Sequence, residues 1–211
     1  MRLPLAAHTD QPWRIHELTP DFTVEDVWAL PTPGGPGELP RLLTAFGAEG
    51  ADGARGAGGP GGDAEEGFPA GAPLIVRFLW EARWKLGRVF GWDDEGGGLG
   101  GRVQTLRDRF PDDLRAVPAG PEMGKLPFEP LYLLDDEWAA EMANRTVHGV
   151  LHLSWVPDGA GGYRGQMAVL VKPNGRRGAA YMAAIKPFRY LFVYPALLGL
   201  IGRNWRAGAA A

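Results

Sequence analysis

The clearest pattern of apolar and polar positions lies between Thr146 and Trp205. From Thr146 to Val156 the residues alternate. Val147, Leu151, Leu153 and Trp155 fall on one face, and Thr146, His148, His152 and Ser154 on the other. Period-two alternation marks a strand with one face on a core and the other polar. The run from Tyr163 to Lys172 repeats it, with Tyr163, Met167, Val169 and Val171 set against Arg164, Gln166 and Lys172. Pro157, Asp158, Gly159, Gly161 and Gly162 stand between the two runs. There Pro presets φ and Gly supplies φ > 0, so an antiparallel hairpin is predicted.

After Lys172 the period changes. Tyr181, Ile185, Phe188, Phe192, Pro195, Leu198, Ile201 and Trp205 recur at spacings of three and four, one face of a helix. Pro187 and Pro195 interrupt it. Each removes an amide donor and crowds the preceding turn, so breaks are expected near Lys186 and Tyr194.

Upstream the pattern is weaker. Trp13 to Leu18 reads as a short first strand, with Trp13 and Ile15 on one face. Thr23 to Leu30 reads as a helix start: Thr23 can cap, and Glu25 and Asp26 suit the positive end. Pro31, Pro33 and Gly34 would stop it, and Glu38 to Phe46 reads as another short helix. Gly47 to Pro73 is roughly a third glycine with little to bury, and reads as a flexible insert. Leu74 to Trp92 carries an apolar stripe of Ile75, Phe78, Leu79 and Leu86 beside a basic face, a third helix. The glycine run over Gly96 to Gly101 follows Asp93, Asp94 and Glu95, which repel phosphate, so it reads as a loop. Thr105 to Leu114 reads as a short helix turning at Pro111. Phe128 to Leu134 and Trp138 to Ala143 read as strands joined at Asp135, Asp136 and Glu137. The order is strand, helices, antiparallel strands, terminal helix. It implies one α+β domain over residues 1–211, with an insert at 47–73.

Composition narrows the function. A chain of 211 residues supports a full core. Its net charge of −3 makes no electrostatic case for nucleic acid. Without cysteine there is no disulfide, thiol nucleophile or zinc–thiolate site. Met1 to His8 has no apolar signal core, and the most apolar run, Tyr190 to Ile201, is too short to span a bilayer and contains Pro195. The expectation is a cytoplasmic protein with no integral membrane segment.

Candidate chemistry is sparse. His148 and His152 lie about 13 Å apart along a strand, too far to share one ion whose ligands sit about 2 Å away, so no metal site is expected. They read as sheet histidines on a polar face. Asp135, Asp136, Glu137 and Glu141 read as charges at a hairpin tip. A sharper reading puts Glu141, Asn144, Arg145 or His148 at a cavity mouth, where burial shifts titration. G-x-S-x-G, H-E-x-x-H and P-loop strings are absent from the sequence. The catalysis that can be built is cofactor-independent acid–base work by His148 with a carboxylate such as Glu141.

Several strings together resemble the START-like, or helix-grip, superfamily of polyketide cyclases, lipid-transfer domains and pollen allergens. They are Phe22 to Trp28, Asp136 with the strand after it, and Asn174-Gly175, Gly178, Tyr181-Met182, Ile185 and Pro187-Phe188. Within it the chain is similar to a family of unknown function, also found fused behind short-chain-dehydrogenase-like domains. The resemblance implies a curved antiparallel sheet gripping the C-terminal helix over an apolar cavity. It implies a hydrophobic small molecule or lipid as ligand, with no cofactor. Tyr132, Trp138, Arg145, Trp155, Met167, Tyr181, Ile185 and Arg189 are the candidate lining residues. Two alternatives stand beside a carrier or sensor: a cyclase or dehydratase-type enzyme using His148, and a structural partner of a dehydrogenase-like protein. Where the family often has His after Pro-Phe, this chain has Arg189. Arg cannot act as a base near neutral pH, so Arg189 is expected to pair with an acidic side chain or an anionic ligand head.

Overall fold

The computed structural model describes residues 1–47, 99, 103–123, 127–144 and 147–208. The insert expected from Gly47 onward therefore falls almost wholly outside the described residues. So do the helix expected over 74–92, most of the glycine run at 96–101, and Arg145.

Five strands form one antiparallel sheet. They are β1 (Thr23–Ala29), β2 (Glu129–Leu133), β3 (Glu137–Ala143), β4 (Val147–Pro157) and β5 (Tyr163–Pro173), in spatial order β1-β5-β4-β3-β2. The β4–β5 hairpin pairs eleven positions in unbroken register, from Val147 opposite Pro173 to Pro157 opposite Tyr163. Its turn is held by Asp158, whose Oδ1 accepts the amides of Ala160 and Gly162 at 2.7 and 3.0 Å. Gly159 and Gly161 take φ of 81° and 94°, the left-handed region that Cβ disfavours.

Two helical layers enclose the sheet. On one face lie Trp28, Trp138, Leu153, Trp155 and Met167. They pack against α3 (Leu39–Phe46) and the C-terminal helices through Leu42, Tyr194, Ile201 and Trp205. On the other face lie Val27, Tyr132, Ala139, Val150 and Leu170. They are covered by α1 (Ala6–Thr9), α2 (Ile15–Leu18), a 3-10 turn (Leu106–Arg109) and α4 (Asp112–Arg115), through Trp13, Ile15, Leu18, Leu106 and Leu114. Each fully buried large apolar side chain here contributes about 1.5–3 kcal/mol relative to exposure.

The C-terminal segment is helical and broken, as its prolines dictate. α5 runs over Gly175–Phe188, a π turn over Arg189–Val193, and α6 over Tyr194–Ala207. Pro187 has no amide for the residue four back, and Pro195 falls in the first turn of α6, where a missing N–H costs little. The π turn takes up the slack between them.

Three expectations are overturned. Thr23 to Ala29 is a strand, not a helix: it pairs with β5, with a bulge between Val24 and Asp26. The bulge disrupts the alternation, and edge pairing outweighs the cap-like Thr23 and acidic Glu25. The segment at Trp13 is a short helix, Ile15–Leu18, instead of a strand, and Ile15 and Leu18 are both buried at helical spacing. Finally, the polar face of β4 is sealed by the N-terminal segment: His148 retains 2 % exposure, and His152 and Ser154 none.

Candidate functional site

The sealed polar face of β3 and β4 carries two equivalent diagonals. Ala139 pairs with His152 and Ala143 with His148, so Glu137 and Glu141 each sit two residues away from the position opposite a histidine, on the same face. That diagonal is within reach of long side chains. His148 Nε2 lies 2.7 Å from Glu141 Oε2, and His152 Nε2 lies 2.8 Å from Glu137 Oε2. All four side chains are buried. A carboxylate accepts, so both imidazoles donate through Nε2–H; in a neutral imidazole that leaves Nδ1 as the acceptor.

The Glu137 end is closed. Glu137 also accepts the Arg14 amide at 2.9 Å and the Tyr132 hydroxyl at 3.1 Å. Burial works against its charge, but the His152 bond and the other donors hold it below the usual carboxylate range. Burial, reinforced by the charge of Glu137, raises the Tyr132 phenol far above its ordinary value. His152 Nδ1 in turn accepts from His8 Nε2 at 3.2 Å. His8 then presents Nδ1 as a buried acceptor with no partner. Burial first, then the neighbouring His152 and His16, lower His8 to about 2, so it stays neutral.

The Glu141 end differs. Glu141 accepts the Thr105 hydroxyl and the Leu106 amide, the latter at 3.1 Å from both oxygens. These groups open the 3-10 turn, where free amides favour a carboxylate. His148 Nδ1 makes no hydrogen bond among the described residues, and it is not among the sealed atoms left without partners. Phe22 packs on this imidazole, with ring centroids 5.0 Å apart and planes at 69°.

Phe22 also lines an open cleft of about 400 Å³, together with Leu5, Thr9, His16, Thr19, Thr23, Val24 and Leu170. Beside it Asp21 accepts from Arg109 at 2.6 Å and Lys172 at 2.7 Å. The Arg109 hydrogen bond, helped by Lys172 and opposed by burial, holds the Asp21 carboxyl well below its usual range. All four histidines of the chain, His8, His16, His148 and His152, belong to this side of the sheet.

The residues singled out in the sequence are scattered across the fold. His148 and Glu141 meet, and Tyr132 reaches the sister pair. Trp138, Trp155 and Met167 lie on the opposite face in the packed core beneath α6. Trp155 donates to Gly35 O at 2.8 Å and stacks near Trp205. Trp28 and Trp205 belong to the same buried cluster, between the sheet and the C-terminal helix. Ile185 is half-buried on α5, which also carries Tyr181.

Arg189 meets an acidic side chain. Its Nη2 lies 2.7 Å from Oδ2 of Asp26, which also accepts Tyr194 OH at 2.7 Å, while Oδ1 accepts Tyr190 OH. Asp26 is fully buried at the β1 bulge. An α-helix would turn residues 189 and 194 well apart, and the π turn, closed by i→i+5 bonds, brings them to one carboxylate. Asp26, Glu137, His8 and Phe22 were not picked out from the sequence as partners. The repeat of Glu-x-x-x-Glu on β3 and His-x-x-x-His on β4 was the available signal for Glu137.

Among the described residues, no helix is long and apolar enough to cross a membrane, and no group of three or more His, Asp or Glu is arranged to hold a metal ion. Residues 18–196 match the model of a family described as a protein of unknown function (DUF2867). The matched span includes both His–Glu pairs and the Asp26–Arg189 pair, and excludes His8 and His16. No curated protein and no solved structure matches the chain.

Proposed function

The chain belongs to the DUF2867 family of proteins of unknown function, and from that premise we propose that it is a small-molecule-binding module of the START-like, helix-grip kind, whose ligand sits over the N-terminal side of the sheet. The observation that carries this reading is the 400 Å³ cleft. Its volume falls in the range of small-molecule pockets, which are mostly apolar with a few polar anchors. Leu5, Phe22, Val24 and Leu170 supply apolar wall, and Thr9, Thr19, Thr23 and His16 supply polar contacts. Among the described residues the lining has no Asp, Glu, Lys or Arg, which suits an uncharged ligand. A partly polar molecule suits this wall better than an acyl chain. Tyr194, Ile201 and Trp205 pack the C-terminal helix onto the sheet, which supports the helix-grip reading.

Displacement of the neutral dye Nile red by small phenols, with native mass spectrometry of the purified protein, tests the proposal. Val24→Trp fills the cleft and should weaken dye binding by at least about tenfold, a loss of ~1.4 kcal/mol. Leu191→Trp, at an exposed position on the π turn, should leave it unchanged. Equal behaviour of the two variants would remove the cleft from consideration.

A further inference from the structure

We infer that Glu141 and His148 form a proton-accepting subsite behind Phe22, and that the ligand it takes is a neutral molecule with a weakly acidic O–H, such as a phenol or an enol. The inference rests on the cleft reading and gives that cleft a chemistry.

Three observations carry it. Glu141 is a carboxylate held by three donors, His148, Thr105 and Leu106, and it orients the imidazole through Nε2–H. A base oriented by a third group is the arrangement that proton abstraction requires. His148 Nδ1 has no hydrogen-bond partner among the described residues, while the sister histidine, His152, spends its Nδ1 on His8. Two pairs built on the same diagonal thus differ in one respect: His152 Nδ1 is hydrogen-bonded to His8, and His148 Nδ1 has no hydrogen-bond partner among the described residues. Phe22 bridges the His148–Glu141 pair to the cleft, packing on His148 and lining the cleft wall. It is only half-buried, so its ring can turn aside for a ligand.

The step balances without an oxidant or a second reactant. The ligand O–H bond breaks, its proton passes to His148 Nδ1, and the oxygen keeps the electron pair. The resulting imidazolium stays hydrogen-bonded to Glu141, whose charge stabilises it. Lys172, opposite His148 in register, and Arg109 are both paired with Asp21, so neither competes for the proton acceptor.

Two measurements on the full chain decide the matter. The first is carbethoxylation by diethyl pyrocarbonate, mapped by peptide mass. His148 and the half-buried His16 should react, and His8 and His152 should not. Phe22→Ala should accelerate labelling of His148 and leave His16 unchanged. Labelling of His148 that stays absent in Phe22→Ala overturns the inference. The second uses 4-nitrophenol as ligand, at a pH where the free phenol is mostly protonated. Bound probe should show the phenolate absorption band. The band should weaken in Glu141→Gln and vanish in His148→Gln, with folding of both verified by circular dichroism. Displacement of Nile red with no phenolate band, or a band unchanged in His148→Gln, overturns the subsite and leaves the cleft reading standing. Failure of 4-nitrophenol to displace Nile red overturns the subsite, whereas the cleft itself is removed only by equal Nile red binding in Val24→Trp and Leu191→Trp.

Discussion

Acidification should loosen this protein through one residue, His8. The side chain is fully buried, bonded to His152, and faced by His16 from α2 and, through His152, by Glu137 from β3. In the folded state it is held at about 2, against an ordinary value of 6.5. The unfolded chain therefore binds a proton at His8 that the folded chain refuses. Stability is complete above pH 6.5 and falls as the pH drops below it, because the unfolded state gains protons. At pH 5 the loss is about 2 kcal/mol, from one and a half pH units at ~1.36 kcal/mol each. That figure is insensitive to the folded value, which lies far below pH 5. Glu137 and Asp21, both held low, contribute stability that is lost only as the pH falls below the unfolded carboxylate value of about 4, outside this window. The assay is urea unfolding followed by tryptophan fluorescence at pH 7.5, 6 and 5. His8→Gln retains an N–H donor for His152 but does not titrate. It should be less stable at pH 7.5, and its stability should decline by about 2 kcal/mol less than wild type between pH 7.5 and 5. Parallel decline of the two proteins would refute the assignment to His8.

Arg189→Met should cost about 3–5 kcal/mol in the same unfolding assay, since it leaves the buried Asp26 carboxylate with two phenols and the more distant Arg2, whose Nε lies 4.0 Å away. Adding Asp26→Asn should recover part of that loss, and no recovery would argue against a buried ion pair. Tyr132→Phe should cost about 1.5–3 kcal/mol by removing one donor from the charged Glu137, and thermal denaturation checks it. Gly165→Ala should cost about 1–3 kcal/mol, because an added Cβ would meet Leu42 Cδ2 at 2.8 Å and Thr32 Oγ1 at 2.9 Å. A neutral result in chemical denaturation would mean that α3 can shift.

The β4–β5 hairpin, β2, β3, the helix Leu39–Phe46 and the broken C-terminal helix were legible in the sequence, because local rules determine them. Alternation sets a strand, turn residues set a hairpin, and proline inside a helical period sets a break. Asp158 and its glycines are a local device, and so is Pro195 in the first turn of α6. The α+β class followed from element order alone. Thr23 to Ala29 was not legible in this way. Its strand exists only because the free edge of β5 accepts it, and its bulge conceals the period that would have revealed it. The site depended still more on tertiary structure. The sequence determined that His148 and His152 share a face and stand too far apart for one ion. That each meets a glutamate is set by the register of β3 against β4, a pairing no short window encodes. Whether that polar face meets water depends on residues over a hundred positions away: His8 and Trp13 seal His152, and Phe22 covers His148. Burial is a property of the packed layers, and burial turned two ordinary sheet histidines into two sealed histidine–glutamate pairs.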